Sequence, residues 1–323
     1  MAKVYKRRII FGNMDLDASN KVIFEHLLAN ARFSVKDLAQ VLKVSKATII
    51  KRLKFLEEKE YILRYDAIIN WQKLPFIKKV YFVKVNGELE EFEKKIVAQN
   101  SVFSLIALSG LYNYQVWCFF KTRKQQLEFE KLLGSFSYEE VNVKELIFPR
   151  VTFFDTPLQI SIPKIQDSEI RITKIDVAIM KYMAQGHGRD SFYEISKMLK
   201  IPYDSVHYHG KNLIRAGYFL AIVAQPGANK FTLQTTALVI HCLNEKSTHN
   251  LYQALQHTPH VISNSLANGN IVMIHFLSQT HVEYRETLSK ILSLIPKDNI
   301  KNVLITHWDK VILNNRYPLE YFI

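Results

Sequence analysis

Apolar residues recur at helical spacing through the first 60 residues and at strand spacing from residue 78, and the same alternation returns in the second half of the chain. Val22, Ile23, Leu27 and Leu28 give the stretch Asp17 to Ala29 one apolar face, which predicts an amphipathic helix. Ser34 followed by Asp37 is a capping-box pair, and Leu38, Val41 and Leu42 continue from it on one helical stripe. Lys43 and Val44 make a turn. Ser45 can cap a third helix, whose inner stripe is Ile49, Leu53 and Leu56. Its outer stripe carries Lys46, Thr48, Lys51, Arg52 and Lys54, the chemistries that pair with phosphate oxygens and base edges. Ser34 to Leu63 therefore reads as a helix-turn-helix with the third helix as the recognition helix. Tyr61 to Ile69 predicts a strand, and the connector through Pro75 a hinge.

From Lys78 the pattern predicts strand 79–85, helix 88–99, strand 102–108, strand 114–120, helix 123–133 and strand 141–147, the β-α-β-β-α-β order of a ferredoxin-like domain. In Tyr114 to Phe120 both alternate faces are apolar, so the sheet should be covered on both sides, by helices on one and by another sheet on the other. Asp155 to Ser168, with Pro157 and Pro163, has no helical period and reads as a linker.

Beyond it the chain repeats itself. Ile172 to Met180 matches Leu16 to Phe24 at an offset of 156, and Ser191 to Leu220 matches Ser34 to Leu63 at an offset of 157 without a gap. Stretches 237–243, 249–256, 261–266, 271–277, 282–294 and 300–305 then restore the β-α-β-β-α-β order. The expected organisation is a basic arm over 1–13, a helix-turn-helix domain over 14–70, a ferredoxin-like domain over 77–155, a linker over 156–170, a degenerate second helix-turn-helix over 171–225 and a second ferredoxin-like domain over 231–323.

Charge sharpens this picture. Lys and Arg exceed Asp and Glu by 43 to 30, a net +13 that suits a polyanionic partner. Lys6, Arg7 and Arg8 form a terminal cluster that could lie on a DNA backbone. Cys118 and Cys242 sit in separate apolar strand-like runs and should be reduced, buried thiols. No apolar run reaches membrane-spanning length and no secretory signal is visible, so a cytoplasmic chain without a membrane partner is expected.

The motifs LDASNKVI, ARFSVKDLAQVLKVSKATIIKRLKFLEEKEYI and SGLYNY resemble the Lrp/AsnC (feast/famine) family of transcription regulators. The family's hallmark serine, threonine and arginine fall on Ser45, Thr48 and Arg52; the glycine usual before the last strand of the motif is Glu60 in the first copy and Gly217 in the second. The family's Gly-x-Tyr-Asp turn appears as Gly110, Leu111, Tyr112 and Asn113, with Asn in place of Asp. The resemblance implies an α+β fold, a winged helix-turn-helix plus a ferredoxin-like sensing domain, present twice and pairing as an internal pseudo-dimer. It further implies double-stranded DNA as partner, contacted by Ser45, Lys46, Thr48, Lys51, Arg52, Lys54 and the Lys6, Arg7 and Arg8 arm. An effector such as an amino acid would bind near Gly110, Tyr112 and Asn113, and chains would associate as homo-oligomers through the ferredoxin-like domains.

The second copy departs from the first. Pro202 to Arg215 presents Tyr203, Asp204, His207, Tyr208 and His209 where the first has Lys46, Ala47, Ile50, Lys51 and Arg52, and Gly210 stands at the buried Leu53 position. That helix is the poorer DNA reader. Ten of the eleven histidines lie after residue 180. His207 and His209 point apart on a helix, whereas His241 and His275 fall on strands of one sheet and could converge. Sirohaem decarboxylases resemble the same family in fold and arise as paired copies, so the alternative reading is a tetrapyrrole enzyme using His241, His275 or His307 with Arg150. A second alternative is a DNA-coating chromatin protein with little sequence preference. No catalytic triad, paired-carboxylate motif, Gly-rich phosphate loop or Cys-x-x-Cys is present, so the expectation is a regulator that is not an enzyme and has no metal and no cofactor.

Overall fold

The computed structural model describes residues 16–147, 170–227, 234–255, 258, 260–313 and 319. The chain starts with helices α1 (Ala18–Ala29), α2 (Val35–Leu42) and α3 (Lys46–Glu58) and strand β1 (Ile62–Ile69). Then come β2 (Ile77–Lys84), α4 (Leu89–Val97), β3 (Val102–Gly110), β4 (Tyr114–Phe120), α5 (Arg123–Leu133) and β5 (Ser137–Ile147). The second half gives α6 (Lys174–Ala184), α7 (Phe192–Leu199), α8 (Tyr203–Arg215) and β6 (Phe219–Pro226), followed by β7 (Gln234–Cys242), α9 (Glu245–Leu255), β8 (Val261–Ala267), β9 (Ile271–Ser278), α10 (His281–Ser293) and β10 (Ile300–Leu313). These elements form two compact units, and each draws on both halves of the chain.

In the helical unit the caps fix where each helix begins. Ser34 with Asp37, Thr173 with Asp176 and Ser191 with Glu194 make reciprocal capping boxes at α2, α6 and α7. Lys43 and Lys200 close α2 and α7 in the left-handed conformation, at φ 55° and 54°. Ile23, Phe24, Leu27, Leu38, Ile49, Leu53 and Leu56 are buried in the first three-helix core, whereas Val41, expected inside, is 45% exposed. Eight residues make α2 little more than two turns, and Ala39 takes the inward position beside Leu38.

Strands β1 and β6 pair antiparallel, with Asp66 opposite Val223. Reciprocal bonds flank that pair. Ala31 N–H donates to Ile222 O at 2.6 Å and Gly188 N–H to Tyr65 O at 2.7 Å; Asn70 N–H donates to Tyr218 O at 2.8 Å and Gly227 N–H to Tyr61 O at 3.2 Å. Gly188 is required there, since a Cβ would come within 2.8 Å of Ile222 Cγ2 and 2.9 Å of Tyr65 O.

The other unit is a closed eight-stranded barrel in the order β10-β3-β4-β2-β5-β8-β9-β7. The expectation of two stacked sheets needs this amendment: β5 pairs with β8 and β10 with β3, joining the two four-stranded halves edge to edge. Every residue of β4 and of β9 is buried, as their doubly apolar pattern predicts. Val116, Cys118 and Phe120 pack with Phe92 and Phe129 in the core beneath α4 and α5; Ile240, Cys242 and Ile274 pack with Leu251 and Ile291 in the core beneath α9 and α10. Cys118 and Cys242 are both buried thiols, and Trp117 is buried.

Two strand boundaries differ from expectation for a readable reason. β5 begins at Ser137, before the apolar run, because its ladder with β2 already runs from Ser137 opposite Lys84, and Glu140 pairs there with Lys79. β10 continues to Leu313 because its second half leaves β7 and pairs with β3, from Thr306 opposite Gly110 to Leu313 opposite Leu105.

Candidate nucleic-acid interface

Ser45 caps α3, its Oγ accepting the Thr48 N–H at 3.1 Å and lying 2.9 Å from Thr48 Oγ1. With Ile49, Leu53 and Leu56 turned into the core, Lys46, Ala47, Ile50, Lys51 and Lys54 are left exposed on the outer face. Lys54 Nζ lies 3.6 Å from Glu58 Oε1 in an exposed i,i+4 pair, a geometry worth only a few tenths of a kcal/mol, about 0.3–0.5. The lysines are long and solvated, and Ile50 supplies an apolar contact among them of the kind that meets a thymine methyl.

Arg52 behaves differently from its neighbours. Its Nη1 donates to Asp17 Oδ2 at 2.6 Å, Asp17 Oδ1 at 2.8 Å and Asn20 Oδ1 at 3.0 Å, so it ties α3 to the start of α1. Burial alone would raise the Asp17 carboxyl, but the Arg52 and Asn20 hydrogen bonds hold it below the usual carboxylate range. Helical angle alone places Arg52 on the outer stripe and does not show Asp17 and Asn20 as its partners. The signal lay in the repeat, since His209 and Asp176 occupy the matching positions and also pair, at 2.9 Å. Lys6, Arg7 and Arg8 lie outside the described residues.

The matching face of α8 is Tyr203, Asp204, His207, Tyr208 and Lys211. Pro202 offers no side-chain cap. Gly210 leaves no hole, because an added Cβ would come within 2.4 Å of Phe192 Cε1. The pair Val35 and Leu53 in one half is thus matched in volume by Phe192 and Gly210 in the other.

In the barrel, Gly110 (φ +130°) passes so close to β10 that a Cβ would meet Ile305 O at 3.1 Å. Asn113 ties the same turn to β2 through its N–H to Val83 O and its Oδ1 from Val85 N–H, both short bonds of 2.9 and 2.8 Å. Tyr112 donates to Glu139 Oε2 at 3.1 Å, and His241 Nε2 lies 2.8 Å from Glu139 Oε1. Burial and the Glu139 charge push Tyr112 up to about 12. The His241 hydrogen bond holds Glu139 below the usual range against its burial.

The histidines do not converge. His275 opposes Ala237 in the β7–β9 ladder, four residues from His241, and lies inside the barrel against Gln115, Ser263, Trp117 and Trp308. His307 bonds Thr236 and meets the Tyr284 ring of α10, on the opposite face. Arg150 lies outside the described residues. Among the described residues no group of three His, Cys, Asp or Glu side chains could hold a metal ion, and no helix is long and apolar enough to cross a membrane.

Known proteins agree with the helical unit first. The family of winged helix-turn-helix DNA-binding domains matches residues 16–62. The leucine-responsive regulatory protein of Haemophilus influenzae is 30% identical over 141 residues, covering 42% of this chain and 82% of that one. The chain belongs to the Lrp/AsnC family. An HTH-type transcriptional regulator of Pyrococcus horikoshii is 28% identical over 120 residues, 36% of this chain and 81% of that one. The Bkd operon transcriptional regulator of Pseudomonas aeruginosa is 32% identical over 108 residues, 32% of this chain and 70% of that one. These Lrp/AsnC relatives are regulators by name, and each match takes in less than half of this chain. Among solved structures, the siroheme decarboxylase NirDL covers 94% of this chain and 96% of its own at 11% identity and a TM-score of 0.62. That likeness is one of fold.

Proposed function

We propose that this Lrp/AsnC chain is a sequence-specific regulator that enters the major groove with α3, using Lys46, Thr48 and Lys51 at base edges and phosphates and Lys54 on the backbone. The observation that carries the reading is the exposed lysine face on a helix whose opposite face is locked into a core and whose N-terminus is capped by Ser45. That N-terminus also offers backbone N–H groups to a phosphate. Arg52 acts as a positioning residue that sets the angle of α3 through Asp17 and Asn20. The Lys6, Arg7 and Arg8 arm lies along phosphates. Selection of bound duplexes from a random pool tests the reading: a short enriched motif that vanishes with Lys51→Ala is expected, and equal binding of all sequences would make the protein a DNA coat instead.

The chain is further proposed to be a tandem duplication that builds a two-subunit Lrp/AsnC assembly inside one polypeptide. The proposed domain limits are 14–70 and 77–155 in the first half and 171–225 and 231–323 in the second, with the linker over 156–170. Support comes from bonds related by the 157-residue offset, Ala31 to Ile222 with Gly188 to Tyr65 and Asn70 to Tyr218 with Gly227 to Tyr61. The effector, an amino acid or similar small polar molecule, is assigned to the turn at Gly110, Tyr112 and Asn113. Buried His275, whose ring nitrogens already face Ser263 Oγ at 2.8 Å and Gln115 Nε2 at 3.2 Å, supports the regulator over a tetrapyrrole enzyme that would use it. Added sirohaem should keep the absorbance of the free pigment; a tight one-to-one spectral shift abolished by His241→Ala would overturn the regulator reading.

A further inference from the structure

We propose that α8 is a self-association face, through which two copies of this chain pair by packing their α8 helices antiparallel. Asp204, Tyr208, Lys211 and Arg215 are all exposed, and at i, i+4, i+7 and i+11 they share one stripe of the helix. Tyr208 is 64% exposed, and its ring meets that of His209 edge to face.

The stripe is complementary to itself. A two-fold axis crossing midway between Tyr208 and Lys211 sets Asp204 of one chain opposite Arg215 of the other, and Tyr208 opposite Lys211. Each contact occurs twice, giving two ion pairs and two ammonium-on-ring contacts around an aromatic centre. An isologous interface demands this property, and the first copy lacks it. The matching stripe of α3 is Ala47, Lys51, Lys54 and Glu58, where the same axis would oppose Lys51 to Lys54. Like charges there repel, so α3 is left for a polyanion and α8 for a second chain. The barrel offers no competing strand edge, since each of its eight strands has two neighbours.

Self-association of this kind is independent of whether α3 reads DNA, and it is read by mass. Sedimentation of the full chain over a concentration series should show a monomer–dimer equilibrium. Asp204→Arg or Arg215→Asp alone sets like charges against each other twice, and each should weaken association by about ten-fold or more. The double variant Asp204→Arg with Arg215→Asp restores the pairing in reverse and should regain wild-type association, which also shows that the single variants fold. A chain that stays monomeric, a dimer that neither single change weakens, or a double variant no better than the singles overturns the proposal. So does a Tyr208→Ala variant that keeps its mass distribution but loses affinity for random-sequence duplex, because α8 would then be a nucleic-acid face.

Discussion

His209 on α8 holds Asp176 on α6 at 2.9 Å, and Arg52 on α3 holds Asn20 on α1 at 3.0 Å, the same two positions in each half of the chain. Each half thus clamps its third helix to its first by one polar bridge. Arg52 reaches Asp17 directly, whereas in the second half Asp176 bonds the matching Thr173.

The first bridge separates orientation from reading. Arg52→Ala should lower stability by about 1 kcal/mol, because Asn20 Oδ1 loses its donor and Asp17 keeps only its cap bond from the Asn20 N–H. Arg52→Lys, which keeps the charge but loses the fork, should fall between. Lys51→Ala should move the melting temperature hardly at all while weakening DNA binding. Thermal melts beside DNA titrations decide it: an unchanged melt for Arg52→Ala with binding lost as in Lys51→Ala would make Arg52 a reader and not a positioner.

Buried His275 should govern acid stability of the barrel. Burial lowers it to about 4, so between there and its unfolded value near 6.5 the unfolded chain takes up a proton that the folded chain refuses. Stability is therefore full above about pH 6.5 and declines as pH falls toward 4, by up to about 3 kcal/mol. Denaturant titrations at several pH values should show that slope, and His275→Gln should flatten it. A His275→Gln protein with the wild-type slope would assign the acid sensitivity elsewhere.

Phe192 and Gly210 should behave as one unit. Gly210→Leu alone should destabilise by about 2 kcal/mol or more through overpacking, and Phe192→Val alone by a similar amount through the cavity. Together they recreate the Val35 and Leu53 arrangement and should recover most of the loss. Additive losses in the double-mutant cycle would mean that the two side chains are not exchanging volume.

Much of this architecture was legible from periodicity. The capping boxes at Ser34 and Ser191 and the doubly apolar strand Tyr114–Phe120 announced their elements because local pattern and tertiary role agree there. What escaped were features set by partners distant in sequence. The second half of β10 has no alternation of its own and exists because β3 supplies its ladder. Arg52 looked like an outward residue because helical angle alone does not reveal a carboxylate 35 positions earlier. Gly210 at the buried Leu53 position is explained only by Phe192, which fills the space above it. His241 and His275 share a sheet but stand four residues apart along the ladder, roughly 13 Å at strand rise, which spacing in the sequence does not disclose.

Glu60 sits at φ +57°, where the second half has Gly217 at φ +73°. A side chain held there costs about 1 kcal/mol or more. Glu60→Gly should raise the melting temperature slightly without touching the lysine face of α3, and a lowered melting temperature would show that the Glu60 side chain contributes more than its backbone strain removes.

α3 is the surface proposed to meet DNA, and the salt dependence of binding measures that contact most directly. Titration of one duplex at several salt concentrations, with wild type and with Lys46→Ala, Lys51→Ala and Lys54→Ala combined, gives the number of phosphates neutralised. Each lost phosphate contact reduces the slope of log K against log salt by roughly 0.9, so the triple variant should bind more weakly and with a slope smaller by up to about 3. A triple variant that binds with the wild-type affinity and slope would contradict the account.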